Sequence, residues 1–401
     1  MERVLTTHTG SLIRPPELLE LVGPMENGGP DDGSAYDAAL ERAVADVVTR
    51  QAGAGIDVID DGEMGKANWI TYLYERVRGI EPRLIPIDAG DILPPSRDRQ
   101  AFPEFYAEHD AEFTRAVSNR VRVAAGDKLE AKRWFCTGPI TYDSSALERD
   151  IARFKRALAT VDVVDAFLPV VAPASVYWLR NEHYATEEEF VFAVADALHE
   201  EYRAIVDAGF LLQVDDAVLL HEYDSILASG GSVEDYRRWA ALRIEALNHA
   251  LTGIPEERIR YHVCFGSWHG PHAYDPPLAD VIDLVLDVRA RYYLIEQANP
   301  RHEHEWRLWE DVELPEGKIL VPGVVTHHTN VVEHPELVAD RIVRIASVVG
   351  ADRVMGGTDC GFAQSAFVHR VHPSIQWAKL EALAEGARLA TKRLFGRVAA
   401  T

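Results

Sequence analysis

The sequence is short of cysteine, of positive charge and of long apolar runs. Its three cysteines, at positions 136, 264 and 360, are too few and too scattered for a disulfide framework. They point to a reducing compartment, the cytoplasm, where thiolates stay free to bind metal. Lys and Arg number 41 against 64 Asp and Glu, and the net charge of −23 argues against nucleic acid or an anionic membrane as a partner. No uninterrupted apolar run approaches the ~20 residues of a membrane span, and no basic, apolar leader with a small-residue cleavage site is seen. No glycine-rich nucleotide loop is present either, so a doubly wound dinucleotide fold, the alternative α/β architecture, lacks support. Apolar content is what the chain has in quantity. At 47% of 401 residues it can bury a large core, in one big domain or two smaller ones.

One stretch stands out, Arg260-Tyr261-His262-Val263-Cys264-Phe265. Tyr261, Val263 and Phe265 alternate with Arg260, His262 and Cys264, the period of a β-strand. One face is apolar and suited to packing on helices. The other carries an imidazole and a thiol about 6–7 Å apart along the backbone, within reach of one metal ion. Taken alone, such a pair reads as a satisfied core contact. Two residues at matching places change that reading: Glu296 ends Tyr292-Tyr293-Leu294-Ile295-Glu296, and Cys360 ends a run beginning at Val354. Each sits at the C-terminal end of an apolar run, where the mouth of a parallel barrel gathers its functional residues. The four donors suit tetrahedral Zn2+. Structural zinc sites usually use closely spaced ligand pairs, whereas these come from three distant runs, so a functional site is expected.

Elsewhere strand-like runs ending in polar residues alternate with amphipathic helices, the pattern of a parallel α/β sheet. Candidate strands are Val4-Leu5, 56–63, 133–136, 167–171, 211–216, 260–265, 292–296, 319–325 and 354–360. Helices are expected near 37–52, over 147–158, from a Thr186/Glu189 capping box to about 208, over 278–288, near 335–349 and over 374–395. The strand candidates exceed by one the eight of a (β/α)8 TIM barrel, so one lies outside it. The expected fold is an α/β (β/α)8 TIM barrel with loop insertions, a single catalytic barrel over 1–401. The stretch around 83–125 has no sustained period and reads as its insertion, with Val121 and Val123 pairing near Arg133–Cys136. His302, Glu303, His304 and Glu305 read as a solvated loop, and Cys136 as a buried core thiol.

Two thiolates, an imidazole and a carboxylate would leave zinc with one formal negative charge. So electron-rich an ion is a poor source of hydroxide. It suits a substrate thiol, whose ordinary pKa is about 8.5 and which metal binding deprotonates. Thiol alkylation is thus favoured over peptide or ester cleavage, with the hard carboxylate of Glu296 the ligand that yields.

His262-x-Cys264, Glu296 and Asp359-Cys360-Gly361 resemble the zinc-binding motifs of the cobalamin-independent methionine synthase family. Gly10-Ser11, Gly62-Glu63, Thr137-Gly138-Pro139, Gln213-Val214-Asp215 and Gly323-Val324-Val325 follow in that family's order through almost the whole chain. The likeness is to the C-terminal, catalytic half of the long synthase, a (β/α)8 barrel. It does not extend to the half that helps bind polyglutamylated folate. The resemblance implies that His262, Cys264, Glu296 and Cys360 bind Zn2+. It implies that Ser11, Glu63 and Asp215 line the pocket for the amino-acid part of a thiol, and that His328 assists proton delivery. A transferase is implied, methyltransferase-like, acting on a small-molecule thiol and a methyl or alkyl donor; self-association is left open. Two departures bear on the substrate. Asp215-Asp216-Ala217 stands where the family has Asp-Glu-Pro, and Phe362-Ala363-Gln364 where it has a basic segment. Homocysteine and methyltetrahydrofolate are therefore less expected than other pairs. The related epoxyalkane–coenzyme M transferases supply one alternative, epoxide opening. A non-catalytic zinc barrel that binds a thiol is another.

Overall fold

A computed structural model describes residues 2–26, 33–87, 95–116, 121–123, 129–176 and 179–396. At its centre is a parallel sheet whose hydrogen-bonded order follows chain order: Val58–Ile59, Asp165–Val171, Leu211–Asp215, Ile259–Val263, Tyr292–Ile295, Ile319–Val325 and Gly357–Thr358. The start of the chain closes it. Thr6 bridges Gly356 and Thr7 bridges Val58, both in parallel, so eight segments form a ring. Asp57 secures the seam by accepting from Thr6 N (2.9 Å) and Thr6 Oγ1 (3.1 Å). Helices Gly33–Gly53, Ser145–Leu158, Glu187–Asp207, Val233–Ala250, Leu278–Leu286, Pro335–Val349 and Pro373–Phe395 surround the ring. No helix among the described residues is long and apolar enough to cross a membrane.

The strand pleat sorts the side chains. Tyr261, Val263 and Phe265 belong to the large core shared with the helices, as their alternation predicts. The inward rows change character along the barrel. Phe167, Leu211, Leu294, Ile319, Val321 and Met355 form a separate apolar cluster that plugs the interior. Further along the same rows come Gln213, Arg260 and His262, all buried. Arg260 spans the interior, donating to Thr7 Oγ1 (2.9 Å) and to the His8 carbonyl (3.0 Å), with its guanidinium 3.7 Å from the Phe167 ring centroid.

Between the second barrel strand and Ser145–Leu158 the chain leaves the ring. Val77–Ile87 pairs antiparallel with Leu129–Tyr142, which also takes Val121–Val123 and, in parallel, Leu179–Asn181. Here the ninth strand candidate finds its place: residues 133–136 pair with 80–83, outside the barrel. Val121 and Val123 face Ala131 and Leu129 rather than 133–136. The sheet extends past 83–125 on both sides; of that stretch, 88–94, 117–120 and 124–128 lie outside the described residues. Pro82 and Pro86 conceal the period of the first strand, yet they are tolerated because it lies at the sheet edge. Cys136 is fully buried and bonds the Gly138 carbonyl (3.3 Å), as a core thiol does.

Helix ends follow side-chain caps. Thr186 accepts from Glu189 N (3.1 Å), but the Glu189 carboxylate reaches Ala185 N (3.0 Å), one residue short of a closed capping box. The reading from sequence omits Ala217–Ala228 and Val233–Ala250. The second is announced by a full capping box in which Asp235 replaces the usual Glu or Gln opposite Ser232.

If Arg260 ties the closing segment to the opposite wall, Arg260→Leu should cost about 2–4 kcal/mol through lost buried hydrogen bonds and disturbed packing. Urea unfolding followed by circular dichroism measures it. A loss below roughly 1 kcal/mol, the worth of a single ordinary bond, would mean that the crossing contacts do not hold the ring.

Candidate active site

His262 lies in Ile259–Val263 and Cys264 one residue past that strand's end. Glu296 directly follows Tyr292–Ile295, and Cys360 follows Gly357–Thr358. Donor atoms of His262, Cys264 and Cys360 lie within 4.8 Å of one another. A second such group joins Glu296, His327 and Cys360. The two sets share Cys360, so each of the four expected donors belongs to one of two adjoining groups, and the second group adds His327, which sequence reasoning passed over for its neighbour.

Surrounding groups orient these donors. Leu294 O lies 3.3 Å from His262 Nδ1, which fixes that nitrogen as the donor and leaves Nε2 free toward the thiols. Asn299 Nδ2 donates to Glu296 Oε2 (2.8 Å), leaving Oε1 unused. Asp359 Oδ1 accepts from Gln297 N (2.9 Å) and Ala298 N (2.8 Å), tying the loop after Glu296 to the Cys360 segment. Residue 323 must be glycine for this: a Cβ there would lie 2.0 Å from Asp359 Oδ1. Ser267 Oγ donates to Cys360 Sγ (3.2 Å).

Ser11, Glu63, Asp215, His262, Cys264 and Cys360 all line one cavity of about 270 Å³, whose outer wall includes Trp69, Tyr106 and Trp268. Gly361 lets Ser11 approach the Cys360 loop, because a Cβ would meet Ser11 Oγ at 2.2 Å. Glu63 has φ 53°, rare for a residue with a side chain, and Lys66 Nζ lies 3.3 Å from its carboxylate. Asp215 accepts from Gln213 Nε2 (2.9 Å). His328 is not on the lining. Its half-buried ring lies 5.0 Å from that of His327 and 6.0 Å from that of His269.

Burial dominates the electrostatics. It lifts Glu296 well above the carboxylate range, reinforced by the charges of Asp359 and Cys360. Asp215 is raised to about 7 by burial, with His262 opposing. The two clustered thiols, Cys264 and Cys360, act as a pair. Cys360, toward which Cys264 donates and beside His262 and His327, is held well below the thiol range, and Cys264 is pushed up. Burial lowers His327 to about 3 and His328 to about 4. The centre thus collects buried acids that resist ionisation, Glu296 and Asp359, and an imidazole that resists protonation, His327, while at His262 burial is outweighed by Cys360, which raises its pKa.

Residues 111–378 match the model of the cobalamin-independent synthase catalytic domain. The chain belongs to that family. It is 24% identical over 362 residues to the methionine synthase of Thermococcus kodakarensis, across 89% of this chain and 86% of that protein. It is also 24% identical over 385 residues to 2-hydroxypropyl-CoM lyase of Xanthobacter autotrophicus, across 89% and 86%. A solved B12-independent methionine synthase from a Shewanella species, in complex with selenomethionine, superposes with a TM-score of 0.71. That comparison covers 98% of this chain and 99% of that chain at 20% identity, and it shows the shared fold. Family membership makes the chain a transferase with small-molecule substrates.

A metal fits the residues present. His262 Nε2, Glu296 Oε1 and both nitrogens of His327 are buried without hydrogen-bond partners among the described residues, close to two thiols. Sulfur, imidazole and carboxylate together suit a borderline-soft divalent ion.

The cluster beyond Glu296, read from its polarity as a solvated loop, is so only in part: His304 is exposed and Glu303 and Glu305 are half-buried, but His302 is not solvated. His302 is buried, its ring stacked 3.5 Å from that of Phe265, with Nε2 3.0 Å from Asp275 Oδ2 and Nδ1 2.7 Å from Glu305 Oε2. Asp275 also accepts from His272 Nδ1 (2.9 Å). Short-range charge pairing, invisible to a hydropathy pattern, draws His302 inward. Burial alone would lower His302, but Asp275 and Glu305 outweigh it and raise its pKa above the ordinary value. A histidine raised in the folded state stabilises fully below its unfolded pKa, near 6.5, and loses that contribution as pH rises through the folded value. The melting-temperature gap between the native chain and His302→Gln should therefore be widest near pH 6 and shrink toward alkaline pH. A gap that grows with pH would contradict the ion pairing.

Proposed function

We propose that this chain is a zinc-dependent thiol methyl- or alkyltransferase, in which a single catalytic barrel over 1–401 activates a substrate thiol for attack on a methyl or alkyl donor. One observation carries the reading: His262, Cys264 and Cys360 converge on the wall of one cavity beside Glu296, with His262 Nε2 and Glu296 Oε1 buried and without hydrogen-bond partners among the described residues. Zinc bound by these donors would hold the substrate sulfur as thiolate near neutral pH. Glu296, a hard oxygen donor among sulfurs, is the ligand that gives way. Glu63 and Asp215, with Ser11, offer acceptors for an ammonium group on the thiol. Trp69, Tyr106 and Trp268 present apolar surface to the donor and shed water from it. His328, one residue from His327, is the proposed proton carrier for the leaving group.

Size bears on the donor. The cavity, about 270 Å³, sits near the lower end of the usual range for a small-molecule site. This favours a short thiol with a compact donor over methyltetrahydrofolate with homocysteine. Kinship to 2-hydroxypropyl-CoM lyase supports a second reading, attack of a zinc-bound thiolate on a small epoxide.

Protein purified without added metal should carry about one zinc per chain, and Cys264→Ser or Cys360→Ser should lose most of it while remaining folded. X-ray absorption should count one more sulfur neighbour after thiol is added. No zinc, or zinc that survives both substitutions, would refute the reading. A panel crossing short thiols with methylcobalamin, methyltetrahydrofolate and small epoxides, read by mass spectrometry of the thioethers, then identifies the donor. Failure to form any thioether would leave a thiol-binding barrel without turnover.

A further inference from the structure

The zinc-thiol reading above, on which this inference rests, leaves one buried group without an employment. His327 is 1% exposed, and neither of its ring nitrogens has a hydrogen-bond partner among the described residues. Buried imidazoles almost always bond through at least one nitrogen. His262 does so by spending Nδ1 on Leu294 O, and His8 by placing Nε2 2.6 Å from Gln51 Oε1. His327 instead comes within 4.8 Å of the donor atoms of Glu296 and Cys360.

The position is enforced from behind. Thr326 donates through N and Oγ1 to Glu333 Oε1 (2.9 Å each), and Lys379 Nζ, from Pro373–Phe395, pairs with Glu333 Oε2 (2.8 Å). Lys379 also bonds the Val331 carbonyl (2.6 Å) and Thr326 Oγ1 (3.2 Å). A fully buried lysine and three residues of the loop thus clamp the chain beside His327. A proton-carrying role has less support. The neighbouring His328 ring stands edge-on at 5.0 Å, and no acid or hydroxyl of the described residues bonds His327 to pass a proton along.

We propose that His327 is a fifth protein donor to the metal, entering from the Glu296 side. Its neutrality matters to the exchange. If a substrate thiol took the place of Glu296, its proton could pass to the freed carboxylate, one anionic ligand would replace another, and a neutral His327 would hold that side of the centre without changing its charge. Glu296 can then leave without the ion loosening, and the bound sulfur keeps its nucleophilic character.

The test is structural rather than catalytic. X-ray absorption of the zinc-loaded native protein should show the multiple-scattering signature of two imidazoles beside two sulfurs. His327→Ala should remove one imidazole and weaken zinc by about 10–100-fold in competition with a chelator. His327→Gln, closer in shape, should lose the imidazole signature likewise, which guards against a folding artefact in the alanine variant. One imidazole in the native spectrum, or an unchanged spectrum and affinity in both variants, would overturn the proposal. Those results leave the parent reading standing as long as Cys264→Ser still sheds zinc. Zinc with no sulfur neighbour would overturn both.

Discussion

Closure of the sheet by Thr6 and Thr7 is the constraint on which the centre depends. Neighbouring strands lie about 4.8 Å apart, so in an open sheet the strand before Cys360 would stand about 14 Å from that carrying His262. In the ring the two face each other across the interior, and their donor atoms come within 4.8 Å. The seam itself is slight: two isolated bridges, backbone bonds such as Thr7 N to Gly356 O, and the Asp57 clasp. Arg260 supplements it from inside. A residue one step below His262 in the same inward row thereby helps decide whether the thiols can meet.

The second constraint is charge. Around Cys360 the barrel buries Glu296, Asp359 and Cys264, while the cations in reach are committed elsewhere. Arg260 is bound to Thr7 and His8, and Arg341 to Glu303 and the Val324 and Ala298 carbonyls. Glu296 and Asp359 consequently hold their protons more tightly than free carboxylates. Such an arrangement is costly for a protein alone and favourable with a divalent ion. The same reasoning applies to the unbonded imidazole nitrogens, which a buried site leaves at a cost and which a metal would satisfy.

Much of this was legible in the sequence, because the signals were local. The alternation at 260–265 gave a strand with a chemical face, and strand-end positions gave the other donors. What escaped reading depended on side-chain pairings that hydropathy does not record. His302 turned inward because Asp275 and Glu305 pair with it, and periodicity carries no trace of that pairing. His327 and His328 are adjacent and chemically alike, and only the loop clamped by Glu333 and Lys379 decides which one faces Cys360. The antiparallel sheet was half-seen, since prolines broke the pattern of one of its strands while sparing the edge bonds.

The N-terminal turn shows how fold and site are joined. Gly10 has φ 127°, and a Cβ there would lie 2.9 Å from Glu63 Oε1, so glycine is what allows Glu63 to reach the cavity. Glu63 in turn holds a left-handed backbone, steadied by Arg14 donating to its carbonyl (2.7 Å) and by its own N bonding Asp61 Oδ1 (2.9 Å). Strain of this kind persists only where surrounding bonds outweigh it. The residues that close the barrel and those that face the substrate are therefore neighbours in one short segment. Thr6 and Thr7 set the seam, Gly10 clears the approach, and Ser11 meets Gly361 beside Cys360. Seam and substrate wall are built from the same five or six residues, so the ring cannot loosen at Thr6 without moving Ser11 away from the thiols.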